Sequence, residues 1–345
     1  MNKDSLCETV DRFALQMLKQ MATFLQHVVI SFLVFRFFAG EDSLALTEKP
    51  AEFGKMIDGT AGRPYVLRML FPETIRLIKW LIPEDVQSRI VSFFTAKKWL
   101  SFYFASDRAF EYAIALALSF LFFLGFSFVL KSLAGYFYRD SLLTQYITVF
   151  TGMMIIPLCS SYSHFVYDPA TLFLFSFGVL LVVKKRLVPL LLFYPLLALN
   201  KETSVLLILV FIAYQFRQMP VKRIAAVSVL MGGMWFTIRI LVIQTFAANP
   251  GTIAEFHLFD HNLKLWGNPA SASLFLMVFI SLGSLIIYEW KEKDEFLRRG
   301  FTVVFCPLFF LAVFFGYIDE IRALYETIPF VALLAAPSIS KLAYS

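Results

Sequence analysis

The sequence predicts an all-α fold: a polytopic transmembrane helix bundle of about ten spans, with amphipathic helices in a long first outer loop. Three observations predict it. Hydrophobic residues make up 59% and charged residues 16% of the 345 positions, where soluble chains run at about 45 to 50% apolar and about 25% charged. The mean hydropathy is +0.71, and the 41 phenylalanines lie in long runs rather than in a core stripe. Lysine and arginine collect in alternate gaps between those runs.

A membrane span needs about 20 apolar residues at a helical rise of 1.5 Å, and fewer where the bilayer thins or the helix breaks. Apolar runs at 21–39, 110–130, 141–158, 168–183, 187–199, 203–216, 224–246, 272–289, 300–317 and 327–343 give the ten. The first follows about twenty polar residues and is long for a signal-peptide core, so it is expected to be a retained anchor. The chain is read as a single integral membrane domain over 1–345: the first span, the loop 40–108, and the remaining bundle from 109 onward.

With the N-terminus inside, the inner segments hold sixteen cations: Lys3, Arg12, Lys19, Lys131, Arg139, Lys184, Lys185, Arg186, Arg217, Lys222, Arg223, Lys291, Lys293, Arg298, Arg299 and Lys341. The short outer segments hold three, Lys201, Lys264 and Arg322. The positive-inside rule then places both termini in the cytoplasm. The same rule divides 187–216 into two arms with Asn200, Lys201 and Glu202 at the outer tip, because a single crossing strands Arg217, Lys222 and Arg223 outside. Pro189 and Pro195 suit a distorted first arm, each removing a backbone donor.

The loop 40–108 is too long for a plain connection. PETIRLIKW (72–80) and EDVQSRIVSFF (84–94) read as amphipathic helices lying at the membrane interface, a lid or docking loop. The net charge of +6 does not indicate nucleic acid, since a nucleic-acid footprint clusters its cations on one surface. Cys7, Cys159 and Cys306 are isolated, giving neither a disulfide framework nor a zinc site.

Charges within or beside spans are expensive and mark functional candidates. The outer set contains Glu41 and Asp42 after the first span, Asp58, Arg63 and Arg68 in the loop, and His164 and Asp168 before the fourth span. Lys201 and Glu202 follow at the hairpin tip, then Glu255, His257, Asp260 and His261, and finally Asp319, Glu320, Arg322 and Glu326 before the last span. Carboxylates in such a pocket suit a general base, and Arg and Lys suit a phosphate. The extracytoplasmic space holds no nucleoside triphosphate pool, so an activated donor there has to be carried on lipid.

Each element has a structural alternative. Glu41 and Asp42 also serve as a polar helix end; Arg63 and Arg68 as interfacial snorkelling residues; Asp168 as the N-cap of its span. Lys201 and Glu202 also read as a local ion pair closing the hairpin, and Glu320 and Arg322 as a pair holding the last helix. His257, Asp260 and His261 are of metal-ligand type but lack a recognised zinc spacing. A divalent cation held by carboxylates including Asp42, Mg²⁺ or Mn²⁺, suits a phosphate donor better. Arg239, inside the seventh span, requires a partner within the bundle, and His27 reads as a satisfied bundle histidine.

The acidic pair after the first span, GRPYVLRMLFP (62–72), YDPATL (167–172), NKETSVLLI (200–208) and EIRALYETIP (320–329) together resemble bacterial membrane proteins of the GT-C glycosyltransferase type. The layout covers most of the chain, and specificity lies in those short motifs. The resemblance implies sugar transfer from a polyprenyl-phosphate donor to an envelope glycan or lipid acceptor, on the periplasmic face of a bacterial inner membrane. It implies Asp42, or Glu41, as the catalytic base. By the same resemblance Arg63, Arg68, Lys201 and Arg322 contact the donor phosphate, while Asp168, Glu202 and Glu320 orient acceptor hydroxyls or a metal. A soluble C-terminal domain of the kind many such proteins carry is not expected from these residues, and Lys201 stands where arginine is expected, which weakens a bidentate phosphate grip. The alternatives from other classes are a transporter or flippase of lipid-linked or small polar substrates, and a non-catalytic membrane assembly subunit.

Overall fold

The computed structural model describes residues 3–40, 52–95, 107–158 and 165–343. Among them every regular element is helical. Glu41, Asp42, His164 and Cys159 lie outside the described residues.

The chain opens with a 36-residue helix, α1 (Lys3–Phe38). The loop region holds α2 (Phe53–Asp58), a 3-10 turn (Tyr65–Leu67), α3 (Leu70–Leu81) and α4 (Glu84–Thr95). Then come α5 (Ala109–Phe137), α6 (Leu142–Leu158), α7 (Asp168–Val183) and α8 (Leu187–Asn200). A second 3-10 turn (Glu202–Val205) leads into α9 (Leu206–Gln215) and α10 (Val221–Thr245). After short helical pieces over Leu258–Asn262 and Leu263–Leu265 follow α11 (Pro269–Ile287), α12 (Glu295–Phe315), a 3-10 segment (Ile321–Thr327) and α13 (Ile328–Leu342).

Among the described residues five helical segments are long and apolar enough to cross a membrane: Leu15–Phe38, Ala109–Phe137, Val221–Thr245, Glu295–Phe315 and Ile321–Leu342. Shorter apolar helices occupy the other positions where the sequence predicts spans, at Leu142–Leu158, Asp168–Val183, Leu187–Asn200, Glu202–Gln215 and Phe275–Ile287. The all-helical class and its membrane character therefore stand on the fold itself.

Within the bundle α13 is the central helix and α10 a peripheral one, with 78% and 17% of their most apolar windows buried. The α13 segment is rich in small residues, and Ala332, Ala335 and Ala336 are fully enclosed. Small side chains let neighbouring backbones approach closely, which is how helices associate when lipid removes the hydrophobic drive between them. On α10, Val229, Phe236 and Leu241 are exposed apolar side chains, as a lipid-facing surface requires.

The predicted division of 187–216 has a direct geometric basis. Lys201 is extended (φ −156°, ψ 144°), which ends α8. Asn200 Nδ2 donates to Thr171 Oγ1 at 2.9 Å near the start of α7. Tyr214 donates its hydroxyl to Val183 O at 2.9 Å where α7 ends. The chain thus reverses at Lys201, and α8 and α9 run in opposite directions alongside α7.

The two predicted amphipathic helices are α3 and α4. On α3, Phe71 and Ile75 face the bundle while Leu77, Trp80 and Leu81 are exposed; α4 buries no residue. Arg108 ties this region to α5, donating to Asp58 at 3.0 Å and to Glu111 at 3.0 Å, while Lys79 donates to Glu111 at 2.8 Å.

Candidate functional site

Four stretches of chain converge at one end of the bundle: 65–68, 165–168, 200–204 and 320–327. Each lies where a helix begins or ends, so its backbone is free to turn side chains across the bundle end instead of outward from a cylinder. Arg68, just past a 3-10 turn, donates from Nη2 to Glu202 Oε1 at 3.0 Å. Its Nη1 reaches the Tyr167 hydroxyl, and its guanidinium carbon lies 4.4 Å from the centre of that ring.

Arg322 makes the corresponding arrangement on the other side. It donates from Nε to Glu320 Oε1 at 2.7 Å, its Nη1 lies 3.5 Å from Asp168 Oδ2, and its guanidinium carbon sits 3.9 Å from the Phe165 ring centre. Between the two arginines, Tyr65 stacks on Phe165 at 5.3 Å and Phe165 on Tyr167 at 5.4 Å. Guanidinium groups prefer such flat faces because the ring quadrupole attracts the charge while the edge donors stay free for carboxylates.

A third pair lies deeper. Lys201 Nζ is 3.0 Å from Glu326 Oε1, with the side chains 10% and 1% exposed. Thr203 also donates its hydroxyl to Glu326. Lys201 and Glu202 therefore do not close the hairpin on one another: each binds a different element, Lys201 the segment before α13 and Glu202 the 3-10 turn after the first helix pair. Asp168 is likewise not an N-cap. It is the first residue of α7, with Tyr167 in the cap position, and its Oδ2 accepts the Phe165 amide at 3.2 Å while facing Arg322.

Burial alone raises a carboxyl pKa, but Arg68, with help from Arg239 and Lys201, brings Glu202 down to about 2. Burial works against the Arg68 charge too, and Glu202 and Tyr167 outweigh it, so the guanidinium is held more firmly protonated than usual. Burial lifts the Tyr167 phenol above its ordinary range. It also raises Glu320, and in that case the pull of Arg322 does not overcome it. Glu320 is thus more disposed to hold a proton than an ordinary glutamate, in contrast to Glu202.

Several buried polar atoms among the described residues have no hydrogen-bond partner, including Arg68 Nε, Glu202 Oε2, Glu326 Oε2 and Asn200 Oδ1. Buried polar atoms are normally satisfied, so these atoms have hydrogen-bonding capacity left for a bound group or solvent. Beside the charges lies an apolar cavity of about 180 Å³. Its wall includes Ile321, Leu324 and Thr327 of the same 3-10 segment that carries Arg322 and Glu326, and it continues along α11 to Ile287.

The remaining predicted site residues are placed differently. Arg63 donates from Nη2 to Gly251 O at 2.8 Å and its amide donates to Pro250 O at 2.7 Å, so it anchors the 247–271 loop instead of joining Arg68. Gly251 has φ +91°, and a Cβ there meets Arg63 O at 2.5 Å; only glycine fits. Glu41 and Asp42 lie outside the described residues. His257 pairs with Asp260 at 2.9 Å and His261 with Asp319 at 2.9 Å, on either side of Tyr317, whose ring lies 4.6 and 4.1 Å from theirs.

Among the described residues no group of three or more His, Cys, Asp or Glu side chains is arranged to hold a metal ion. The donor set explains this: Asp168, Glu202, Glu320 and Glu326 each face an arginine or lysine.

Some members of the site were not legible as such. Glu326 stands out in sequence only as one more charge before the last span, yet it lies four residues after Arg322, about one helical turn away. Tyr167 enters the sequence reading only as the first residue of the YDPATL motif, with no role of its own. Arg239 was expected to find a buried partner, and it donates to Leu67 O at 3.0 Å; Trp235, one turn before it, donates to Glu202 O at 2.9 Å.

Fold and site together define a class: a protein whose described residues form helices, five of them long and apolar enough to cross a membrane, and gather paired charges and aromatic rings at one end of the bundle. No protein-family model, curated protein or solved structure matches the chain.

Proposed function

We propose that this protein is a membrane glycosyltransferase of the GT-C type, crossing the membrane about ten times. It transfers a sugar from a polyprenyl-phosphate donor to an envelope glycan or lipid acceptor on the extracytoplasmic face. The observation that carries this reading is the two-sided 3-10 segment 321–327. One face presents Arg322 and Glu326 to the charge cluster, and the other lines an apolar cavity of about 180 Å³. An amphiphile with an anionic head and a hydrocarbon chain matches both faces at once.

In this proposal Arg322 and Arg68 hold the donor phosphate by charge-assisted hydrogen bonds. The acceptor hydroxyl oxygen attacks the anomeric carbon with inversion, and its proton passes to Asp42, or to Glu41. The bond from the anomeric carbon to the phosphate oxygen breaks, and the electron pair leaves on the polyprenyl phosphate, where the guanidinium groups stabilise it. Lys201 acts through Glu326, and Asp168 through Arg322. A divalent cation, Mg²⁺ or Mn²⁺, would be held by carboxylates including Asp42 and would help neutralise the donor phosphate. The proposed location is a bacterial inner membrane, with both termini in the cytoplasm.

The test is transfer of radiolabelled sugar from a polyprenyl-phosphate donor in proteoliposomes. Asp42→Asn and Arg322→Met are each expected to lower the rate at least about 100-fold, the range for loss of a group acting in the transition state. Wild-type rates in both variants, in correctly folded protein, overturn the reading. Phosphate-lipid binding without transfer, in a wild-type protein that moves the lipid between leaflets, favours a flippase.

A further inference from the structure

Helix α10 is the least enclosed of the five long apolar helices except on one face. Met231 and Arg239 are buried, Trp235 is partly buried, and the three positions are spaced i, i+4, i+8, so they lie one above another along the helix. An arginine in a peripheral apolar helix is expensive, by at least about 2.5 kcal/mol even on insertion scales. Arg239 therefore needs a local reward.

That reward is a backbone carbonyl. Arg239 Nη1 donates to Leu67 O at 3.0 Å, and Leu67 immediately precedes Arg68. One turn earlier, Trp235 Nε1 donates to Glu202 O at 2.9 Å. Arg68 and Glu202 are the two partners of a 3.0 Å ion pair, contributed by segments 134 residues apart in sequence. Each partner's backbone is thus gripped, at the residue itself or at its neighbour, by side chains one turn apart on a single rigid helix. Arg239 also lies close enough to Glu202 and Arg68 for direct electrostatic interaction with both.

We infer that Trp235 and Arg239 are positioning residues: α10 is a jig that fixes the separation of the 65–68 and 200–204 segments, and so sets Arg68 against Glu202 in the donor-phosphate site. Both gripped carbonyls sit where regular helices are interrupted, at the end of one 3-10 turn and the start of another. Neither segment therefore has a continuous helix to hold it in place. The α10 side chains supply that constraint from outside the site, without occupying the space a ligand needs.

The inference rests on the proposed function for its consequence, but its test does not depend on transfer. The Arg68–Glu202 interaction is measured as a double-mutant cycle of reversible unfolding in mixed micelles, using Arg68→Met, Glu202→Leu and the double variant. The cycle is run in the wild-type background and in the Trp235→Phe and Arg239→Met backgrounds. Trp235→Phe keeps the ring and removes only the donor. Loss of the jig is expected to reduce the coupling, expressed as a ratio of unfolding constants, at least about fivefold, with partial recovery in Arg239→Lys, which restores one donor. General destabilisation shifts all four corners of the cycle equally and leaves the coupling unchanged, and that result overturns the inference.

Steady-state transfer provides the second arm. The KM for the polyprenyl-phosphate donor is expected to rise about tenfold in Trp235→Phe and Arg239→Met, with the acceptor KM unaffected. A reduced coupling in a protein that shows no transfer, with Arg68→Met also silent, supports the jig and refutes the glycosyltransferase reading. An unchanged coupling beside wild-type transfer that Arg68→Met abolishes does the reverse.

Discussion

Removing either partner of the Arg68–Glu202 pair should destabilise the protein, but by different amounts and with a dependence on pH in only one of the two cases. In Glu202→Leu the orphan is Arg68, whose side chain is 12% exposed. A guanidinium cannot escape by losing its proton, so the penalty approaches the about 3 to 5 kcal/mol of a broken buried pair. The Tyr167 hydroxyl and ring remain as partners, which places the expectation near about 3 kcal/mol. In Arg68→Met the orphan is Glu202, which can neutralise by taking up a proton. From an ordinary carboxyl pKa that escape costs about 3.7 kcal/mol at pH 7, which is a ceiling. Glu202 keeps 37% of its side-chain surface and still feels Arg239 and Lys201, so solvent screening brings the expected loss to about 1 to 2 kcal/mol.

The pH slopes separate the two cases. In the wild type the Glu202 pKa is depressed to about 2, below its unfolded value. Its contribution is therefore complete above the ordinary carboxyl range and is lost as pH falls from there towards 2. In Arg68→Met burial dominates and the sign reverses: the folded state now binds the proton more readily, so the penalty shrinks as pH falls from 7 to 5. The Glu202→Leu penalty is flat over the same interval. Unfolding by SDS in mixed micelles at pH 5 and 7, followed by tryptophan fluorescence, measures all four quantities. Equal penalties at both pH values, additive within about 0.5 kcal/mol in the double variant, would refute a desolvated pair.

Gly251→Ala places a Cβ 2.5 Å from Arg63 O in a left-handed backbone region. It is expected to cost about 1 to 3 kcal/mol and to increase proteolysis of the 247–271 loop, while Gly232→Ala, with nothing within 4 Å of its Cβ, leaves both unchanged. Glu320, raised by burial, competes with an incoming phosphate for Arg322 once it ionises. Polyprenyl-phosphate binding, measured by native mass spectrometry, should therefore be tighter in Glu320→Gln than in the wild type, by a margin that grows as pH rises and Glu320 ionises, the phosphate's own ionisation being common to both proteins.

The helical class and the apolar segments were legible because hydropathy and the placement of lysine and arginine act over whole segments of twenty residues. The reversal at Lys201 was legible for the same reason: a charge count across Arg217, Lys222 and Arg223 decides it without reference to packing. Pairing within the site was not. Lys201 and Glu202 are adjacent in sequence, and local reasoning ties them together. In an extended backbone, however, consecutive side chains point to opposite sides, and Lys201 is extended. The two side chains therefore diverge, towards Glu326 and Arg68. The aromatic stack and the Trp235 and Arg239 contacts were hidden because backbone carbonyls and ring faces leave no signature in residue type.

The cluster as folded is charge-matched: Arg68, Lys201, Arg239 and Arg322 against Asp168, Glu202, Glu320 and Glu326. Neutrality lets eight ionisable groups occupy one end of an apolar bundle, since each buried charge needs a partner. It also constrains what the site can bind. A phosphate entering a matched cluster adds negative charge and must take its hydrogen bonds from groups already engaged. It needs both a guanidinium edge it can share and a carboxyl that gives up its charge. Glu320 brings the two together, because burial raises it and it accepts from Arg322, two positions away on the same chain segment. Glu202 is locked low by Arg68, and Glu326 is buried between Lys201 and Thr203. On the proposed reading Arg322, at the border between charge cluster and apolar cavity, is therefore where an anionic lipid head first engages, with Arg68 as its partner across the aromatic stack.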